Sequence, residues 1–218
     1  MSATAPIDVR DMAIVHATFR RSFTESAHLL RQRPTPSPER VQFLSDHIAF
    51  GIDMLHHHHE AEDEHLFPVL MARAPEEAAM VTDVGDEHKQ VSGAIDAVTD
   101  ARVAWQKDPT PQSAESLASA LDTLNEVLQG HLDDEEQKVV PLAAVTLTQQ
   151  EWDALGEAAR SGIPKSKMPV AFGMLLEPLD ADDRAYMKSH LPLPVRLLYG
   201  PLIQRPWDKY ATTLRTGT

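Results

Sequence analysis

The chain has 218 residues and no cysteine, and its 33 acidic residues outnumber its 20 basic ones, for a formal net charge of −13. The absence of thiols excludes cysteine-bound zinc and iron–sulfur clusters, and the acidic surplus argues against nucleic acid or an anionic membrane as a partner. Because no apolar run approaches the roughly 20 residues of a membrane span, and the N-terminus lacks the basic-then-apolar pattern of a signal peptide, we expect a cytoplasmic location.

The first two thirds of the chain have the three- and four-residue apolar spacing of amphipathic helices. One helix is predicted from Met12 to Leu30, and it ends in a Pro34-Thr35-Pro36 loop. A second is predicted to begin with Ser37 as its N-cap and with Pro38 in its first turn. Proline is tolerated there because the N–H groups of the first turn have no hydrogen-bond partner within the helix.

A third helix is predicted after Pro75, and an Asp108-Pro109-Thr110-Pro111 turn separates it from a fourth that reaches Leu142. Segments with the alternating pattern of strands are almost absent. Four long helices with short connections predict an all-α protein, an antiparallel four-helix bundle.

A shorter fifth helix is predicted because Thr148 and Glu151 have the spacing of a capping box. Beyond Gly162 the composition changes, and seven of the 16 prolines lie in this last part of the chain. We therefore expect the bundle to occupy residues 8–147 and a helical, proline-rich cover, packed on the bundle, to occupy residues 148–218.

Six polar residues occupy core positions of the four helices. They are His16, His58, Glu62, His88, His131 and Glu135. A buried carboxylate without a partner costs several kcal/mol, and no Lys or Arg lies near these residues on the same helix faces. A metal cation is the simplest charge that would neutralise two glutamates facing four imidazoles. A metal-free bundle with titratable core histidines is the alternative.

The spacing of these residues repeats along the chain. In each half, a helix with one histidine precedes a helix with a His-x-x-x-Glu pair, and the two histidines are 42 residues apart in the first half and 43 in the second. Each pair lies on one helix face, and a proline follows each glutamate by six residues. Two such hairpins facing each other would place two carboxylates between two metal ions.

These residues also carry a resemblance to a known family. The segments His58-x-x-x-Glu62-Asp63-Glu64-His65-Leu66-Phe67-Pro68 and His131-x-x-x-Glu135-Glu136 resemble the two signatures of the hemerythrin-like HHE cation-binding domains. His16 and Glu87-His88-Lys89 match the single histidines of the other two helices. The resemblance covers about residues 8–145 and is greatest to the actinobacterial, mycobacterial-type branch.

The resemblance implies a non-haem di-iron centre with an oxo or hydroxo bridge. Carried over, the ligands of one iron would be His16 and His131, those of the other His58 and His88, and the bridges Glu62 and Glu135. Ligand type alone leaves manganese and zinc as alternatives. His59, next to the core positions, is either an extra ligand or a hydrogen-bond donor to a carboxylate.

The implied function is a reaction with a small oxidant, foremost the disproportionation of hydrogen peroxide in oxidative-stress defence. The alternatives are binding or sensing of O2 or nitric oxide, and iron storage or donation. Oxygen-carrying hemerythrins have a second histidine one turn after the helix-three ligand, where this chain has Ser92, and they end on an aspartate after a longer gap than His131 to Glu135. These departures favour redox turnover over O2 transport. The iron-donating branch typically has an accessory domain that contains cysteine. This chain has no cysteine, so iron storage or donation is the less favoured alternative. The oligomeric state is left open.

The remaining histidines of the bundle have less specific readings. His56 and His57 are predicted to face solvent or an interface, and His65 to pair with the acidic residues before it. His47 is read as a partly buried structural residue, with a channel or ligand-supporting role as the alternative. The acidic run over residues 60–64, apart from Glu62, is predicted to be a solvated face.

Overall fold

The computed structural model of the protein describes residues 6–32 and 36–217, and these residues form helices and no strand. The chain divides into two compact units, one that extends to Gly162 and one that begins at Ile163. The all-α prediction is therefore confirmed. The predicted cover remains a prediction, and most of the predicted Pro34-Thr35-Pro36 loop lies outside the described residues.

The first unit is a helical bundle. Its α-helices are α1 (Arg10–Gln32), α2 (Pro38–Ala61), α3 (Phe67–Arg73), α4 (Ala78–Lys107), α5 (Pro111–Asp134), α6 (Val140–Thr146) and α7 (Gln149–Ser161). The four long helices form a ring, since α1 contacts α2 and α5, and α4 contacts the same two helices. This arrangement confirms the predicted four-helix bundle.

Helix starts follow the capping residues identified in the sequence. The Ser37 side chain accepts a hydrogen bond from the backbone N–H of Arg40, and Pro38 is the first residue of α2. Thr148 and Glu151 form the reciprocal capping box that begins α7. These contacts satisfy backbone N–H groups that have no partner inside a helix.

The two helices that carry a His-x-x-x-Glu pair both widen at the glutamate. Single π-helical turns run over Glu62–Leu66 and Glu135–Val139, and the next N–H donates to the glutamate carbonyl five residues back. The residue after that is Pro68 or Pro141, which has no N–H and whose ring clashes with the carbonyl four residues earlier in a regular helix. The wider turn accommodates the proline, so the repeated proline explains why each helix departs from regular geometry at its glutamate.

Apolar side chains lie on both sides of the polar core residues. In α1, buried Met12 lies one turn before His16, and buried Phe19 and Phe23 follow it. Burying a side chain of this size contributes about 1.5–3 kcal/mol relative to leaving it in water. Together with an apolar cluster that includes residues of α3, α6 and α7, they keep water away from the polar core.

The second unit consists of short helices. These are α8 (Met168–Leu176), α9 (Ala181–Ser189), α10 (Leu193–Leu197), a π-helical turn over Gly200–Gln204, and α11 (Arg205–Thr216). Gly173 lies so close to Trp207 that a Cβ at that position would be 2.3 Å from the ring, so a larger residue there would displace the buried indole. Nowhere among the described residues is there a helix with the length and apolar character needed to cross a membrane.

Candidate metal centre

The six polar core residues predicted from the sequence converge inside the first unit. Each is at most 6% exposed, and Glu62 and Glu135 are fully buried. Their positions are His16 in α1, His58 near the end of α2, Glu62 at the start of the first π-helical turn, His88 in α4, His131 in α5 and Glu135 at the start of the second π-helical turn. Each of the four long helices therefore contributes at least one side chain to the same region of the core.

The potential ligand atoms form two groups. His16, His58, Glu62 and Glu135 offer atoms that all lie within 4.8 Å of one another, and His59, His88 and His131 do the same. The His59 ring stacks on the His88 ring, with 4.2 Å between centroids and 16° between planes. The structure thus places His59 among the potential ligands, a role that the sequence left open.

The neighbouring imidazoles differ from the pairs that the resemblance assigns to one iron each, His16 with His131 and His58 with His88, and that assignment stays a prediction. The Nε2 atoms of His16 and His58 are 3.1 Å apart, and the ring centroids of His88 and His131 are 4.7 Å apart. The histidines therefore pair within each hairpin, α1 with α2 and α4 with α5. Sequence spacing does not decide between this pairing and one across the bundle.

The two carboxylates lie between the two imidazole pairs. Glu62 Oε1 is 3.2 Å from His58 Nε2, and Glu62 Oε2 is 3.7 Å from His88 Nε2. Glu135 Oε2 is 3.4 Å from His16 Nε2 and 3.9 Å from His131 Nε2. Each carboxylate thus lies near one imidazole of each pair.

Most of the atoms that point into this space lack a hydrogen-bond partner. Among the described residues, no partner meets hydrogen-bond geometry for either carboxylate oxygen of Glu62 or Glu135, or for Nε2 of His59, His88 or His131. A buried polar group left unsatisfied costs about 1–3 kcal/mol. Bound cations would satisfy all of these atoms, and a donor set of imidazole and carboxylate suits iron, manganese or zinc. The side chains therefore fit a metal centre.

Three further carboxylates hold the imidazoles from outside. The Nδ1 atoms of the three histidines donate to carboxylate oxygens in the pairs His16–Glu136 at 2.9 Å, His88–Asp63 at 2.9 Å and His131–Glu87 at 3.2 Å. A proton held on Nδ1 leaves the lone pair of Nε2 facing the centre and fixes the orientation of the ring.

Sequence reasoning missed these carboxylates. The prediction that Asp63 lies on a solvated face is confirmed, since its side chain is 52% exposed. The hydrogen bond that it accepts from His88 was not predicted. A signal was present in the repeat, since Asp63 and Glu136 each directly follow a core glutamate and Glu87 directly precedes a core histidine. Arg20 was also missed, and its guanidinium donates to Glu136 at 2.9 Å.

Burial and like charges shift the pKa values in the centre. Burial, and after it the facing carboxylate of Glu135, raises the pKa of Glu62 well above its usual value. Burial and then the neighbouring imidazoles hold the pKa values of His58 and His59 well below the usual value, and they lower the pKa of His131 to about 3. Neutral imidazole is the form that binds a metal. The metal-free centre thus disfavours positive charge on His58, His59 and His131 and negative charge on Glu62. A cation would reverse the preference at Glu62.

The other histidines of the bundle lie outside both groups. His56 is mostly exposed and His57 is partly exposed, and both contact Glu60, at 3.0 Å and 3.1 Å. His65 lies near its acidic neighbour at 3.8 Å. The predictions for His56 and His65 are confirmed, whereas the His57 ring lies against Gly162 and is only partly exposed. His47 is buried in α2, and its role stays a prediction.

Comparison with known proteins gives a match to a family model. The family model described as the hemerythrin HHE cation binding domain matches residues 8–143, a range that contains all seven potential ligands. No curated protein and no solved structure matches the chain significantly.

Proposed function

The chain belongs to the hemerythrin HHE cation binding domain family, and on that premise we propose that this metal-binding protein holds two iron ions and disproportionates hydrogen peroxide. The observation that carries the proposal is the convergence of five imidazoles and two carboxylates on one buried space, with most inward atoms lacking a hydrogen bond.

Two groups of potential ligands support two ions. Glu62 and Glu135 lie near imidazoles of both pairs, which supports the proposal that each carboxylate bridges the two ions. Iron, unlike zinc, changes oxidation state with this donor set. Two irons held by these ligands would supply the two-electron redox chemistry of a balanced reaction in which two H2O2 become one O2 and two H2O.

The protein's own contribution is orientation, charge and exclusion of water. Asp63, Glu87 and Glu136 hold three imidazoles by Nδ1, which fixes the rings before any ligand arrives. Phe19 packs on the ring of His58 with 5.3 Å between centroids. Such apolar walls lower the local dielectric, and a low dielectric strengthens the attraction between buried carboxylates and a cation.

Oxygen evolution tests the proposed reaction. Iron-loaded protein should release one O2 for every two H2O2 consumed, as measured with an oxygen electrode, and the metal-free protein should release none. A Glu64→Ala variant, which removes a mostly exposed carboxylate, serves as the control and should behave like the wild type. Iron-loaded protein that consumes no peroxide would contradict the proposed reaction, whatever its iron content.

Reversible binding of O2 or nitric oxide is the second candidate, and His59 is the observation that favours it. The chain has Ser92 where oxygen-carrying hemerythrins have a histidine, but His59 stacks on His88 and brings the number of converging imidazoles to five. A richer imidazole set is closer to that of a carrier. A visible spectrum that changes on exposure to the gas and returns on its removal, without peroxide turnover, would support this candidate.

A further inference from the structure

A groove of about 400 Å³ opens on the first unit beside α3 and α4, and it reaches a member of the candidate metal centre. Phe67 and Met71 line it from the α3 side, and Thr82 and Gly85 line it from α4. His88 also lines it, although that residue is only 6% exposed. The groove therefore connects the surface to an imidazole whose Nε2 belongs to the centre.

Gly85 shows how closely the groove wall is built. Glycine is unfavourable inside a helix, and Gly85 lies in the interior of the 30-residue helix α4. A Cβ at this position would be 3.2 Å from Cδ2 of Phe67, tighter than ordinary van der Waals contact. The absence of a side chain at Gly85 therefore makes room for the Phe67 ring, which packs on His88 with 5.4 Å between centroids.

Phe67 consequently has two neighbours of different kinds. It lines the groove, and it contacts the His88 ring. Across the groove, Thr82 Oγ1 of α4 lies 3.6 Å from Met71 Sδ of α3. The Phe67 ring therefore contacts both the groove and the imidazole of the centre.

The charges beside the groove are paired. Asp63 accepts a hydrogen bond from His88, and Lys89 forms an ion pair with Asp86 at 2.7 Å. Polar atoms therefore line the walls, and none of the described lining residues offers an unpaired positive charge. Such a lining suits a small neutral molecule that can hydrogen-bond, and it offers little to an organic anion.

We propose that this groove is the access route for small neutral oxidants to the metal centre, with the Phe67 ring as its gate. The inference rests on the proposed function only in that a metal centre with room for a small ligand must exist. The gate controls how fast a ligand arrives and leaves, and it does not touch the bound ligand. Association and dissociation rate constants should therefore change by the same factor, and the equilibrium constant should stay the same.

Nitric oxide, which is small and neutral, is the probe for the test. Iron-loaded protein is mixed with it anaerobically in a stopped-flow instrument, and dissociation is followed with a nitric oxide trap. Thr82→Phe should narrow the groove and slow both rates several-fold. Phe67→Leu should open it and accelerate both. The matched control is Thr123→Phe, since Thr82 and Thr123 are both exposed helical residues whose hydroxyls donate to the carbonyl four residues earlier.

Equal association rates in Thr82→Phe and Thr123→Phe would overturn the access route. So would a change in the ratio of the two rate constants in Thr82→Phe, because that result means an altered centre. Loaded protein that binds no nitric oxide would overturn it as well. If the rates change as expected but peroxide yields no O2, the access route stands and the proposed reaction fails.

Discussion

Replacing Glu136 by alanine should weaken metal binding without changing any direct ligand. The Glu136 carboxylate accepts hydrogen bonds from Nδ1 of His16 and from Arg20, both at 2.9 Å, and the bond from His16 is the main reason that the pKa of Glu136 is held below its usual value. In Glu136→Ala, the fully buried imidazole of His16 loses the acceptor that fixes its tautomer. Arg20 keeps its bond to Asp133 at 2.7 Å, so the helix surface stays largely intact.

The expected magnitude follows from the role of that hydrogen bond. Removing an outer partner of a metal-binding histidine typically lowers affinity about 10- to 100-fold, which corresponds to roughly 1.4–2.7 kcal/mol of binding free energy. The metal-free variant should also lose up to about 1–3 kcal/mol of stability, because buried Nδ1–H is left without an acceptor.

Anaerobic Fe²⁺ titration in competition with a chelator measures the affinity, and elemental analysis gives iron per chain. Glu64→Ala is the control for loss of charge, because it removes a carboxylate that is 73% exposed and lies near His65 at 3.8 Å. Its affinity should be within a factor of about two of the wild type. If Glu136→Ala binds iron as tightly as Glu64→Ala, the carboxylate does not position the imidazole, and the reasoning from Nδ1 hydrogen bonds is refuted.

Three more predictions concern the carboxylates. Removal of the metal should lower the melting temperature, because the metal-free core leaves Glu62 and Glu135 facing each other; calorimetry that finds equal values for the two forms would contradict this. Glu62→Ala and Glu135→Ala should each lose metal from both sites by elemental analysis, and two ions retained in either variant would show that its carboxylate does not bridge. The Arg73 ion pair and the Thr148 cap lower the pKa of Glu151 to about 2 from a usual 4.5. The folded state thus binds this proton less tightly than the unfolded chain, so the advantage of wild type over Glu151→Gln should be complete above pH 4.5 and disappear as the pH falls through 2. Urea unfolding at several pH values measures the difference in the free energy of unfolding between the two proteins. A difference that does not change with pH would count against the ion pair.

Local patterns in the sequence determined the helices and the polar positions of their core. Apolar spacing of three and four residues depends only on helix geometry, so it located the long helices and put His16, His58, Glu62, His88, His131 and Glu135 on their inner faces. Capping at Ser37 and Thr148 was predictable for the same reason, since the partners are a few residues apart. The proline six residues after each core glutamate was visible as a repeat, although the π-helical turn that it accompanies was not.

Contacts between helices were decided only by the tertiary structure. Pairing of His16 with His58, rather than with His131, depends on which helices are neighbours and how far each is rotated about its axis. His59 lay beside the core stripe in the sequence, and a small rotation of α2 decides whether its ring meets His88 or faces away. The sequence identified Asp63 as a surface residue but not its hydrogen bond from His88, because His88 lies on another helix. Periodicity along one helix gives the face on which a side chain lies, whereas the residue that it meets depends on the packing of another helix against that face.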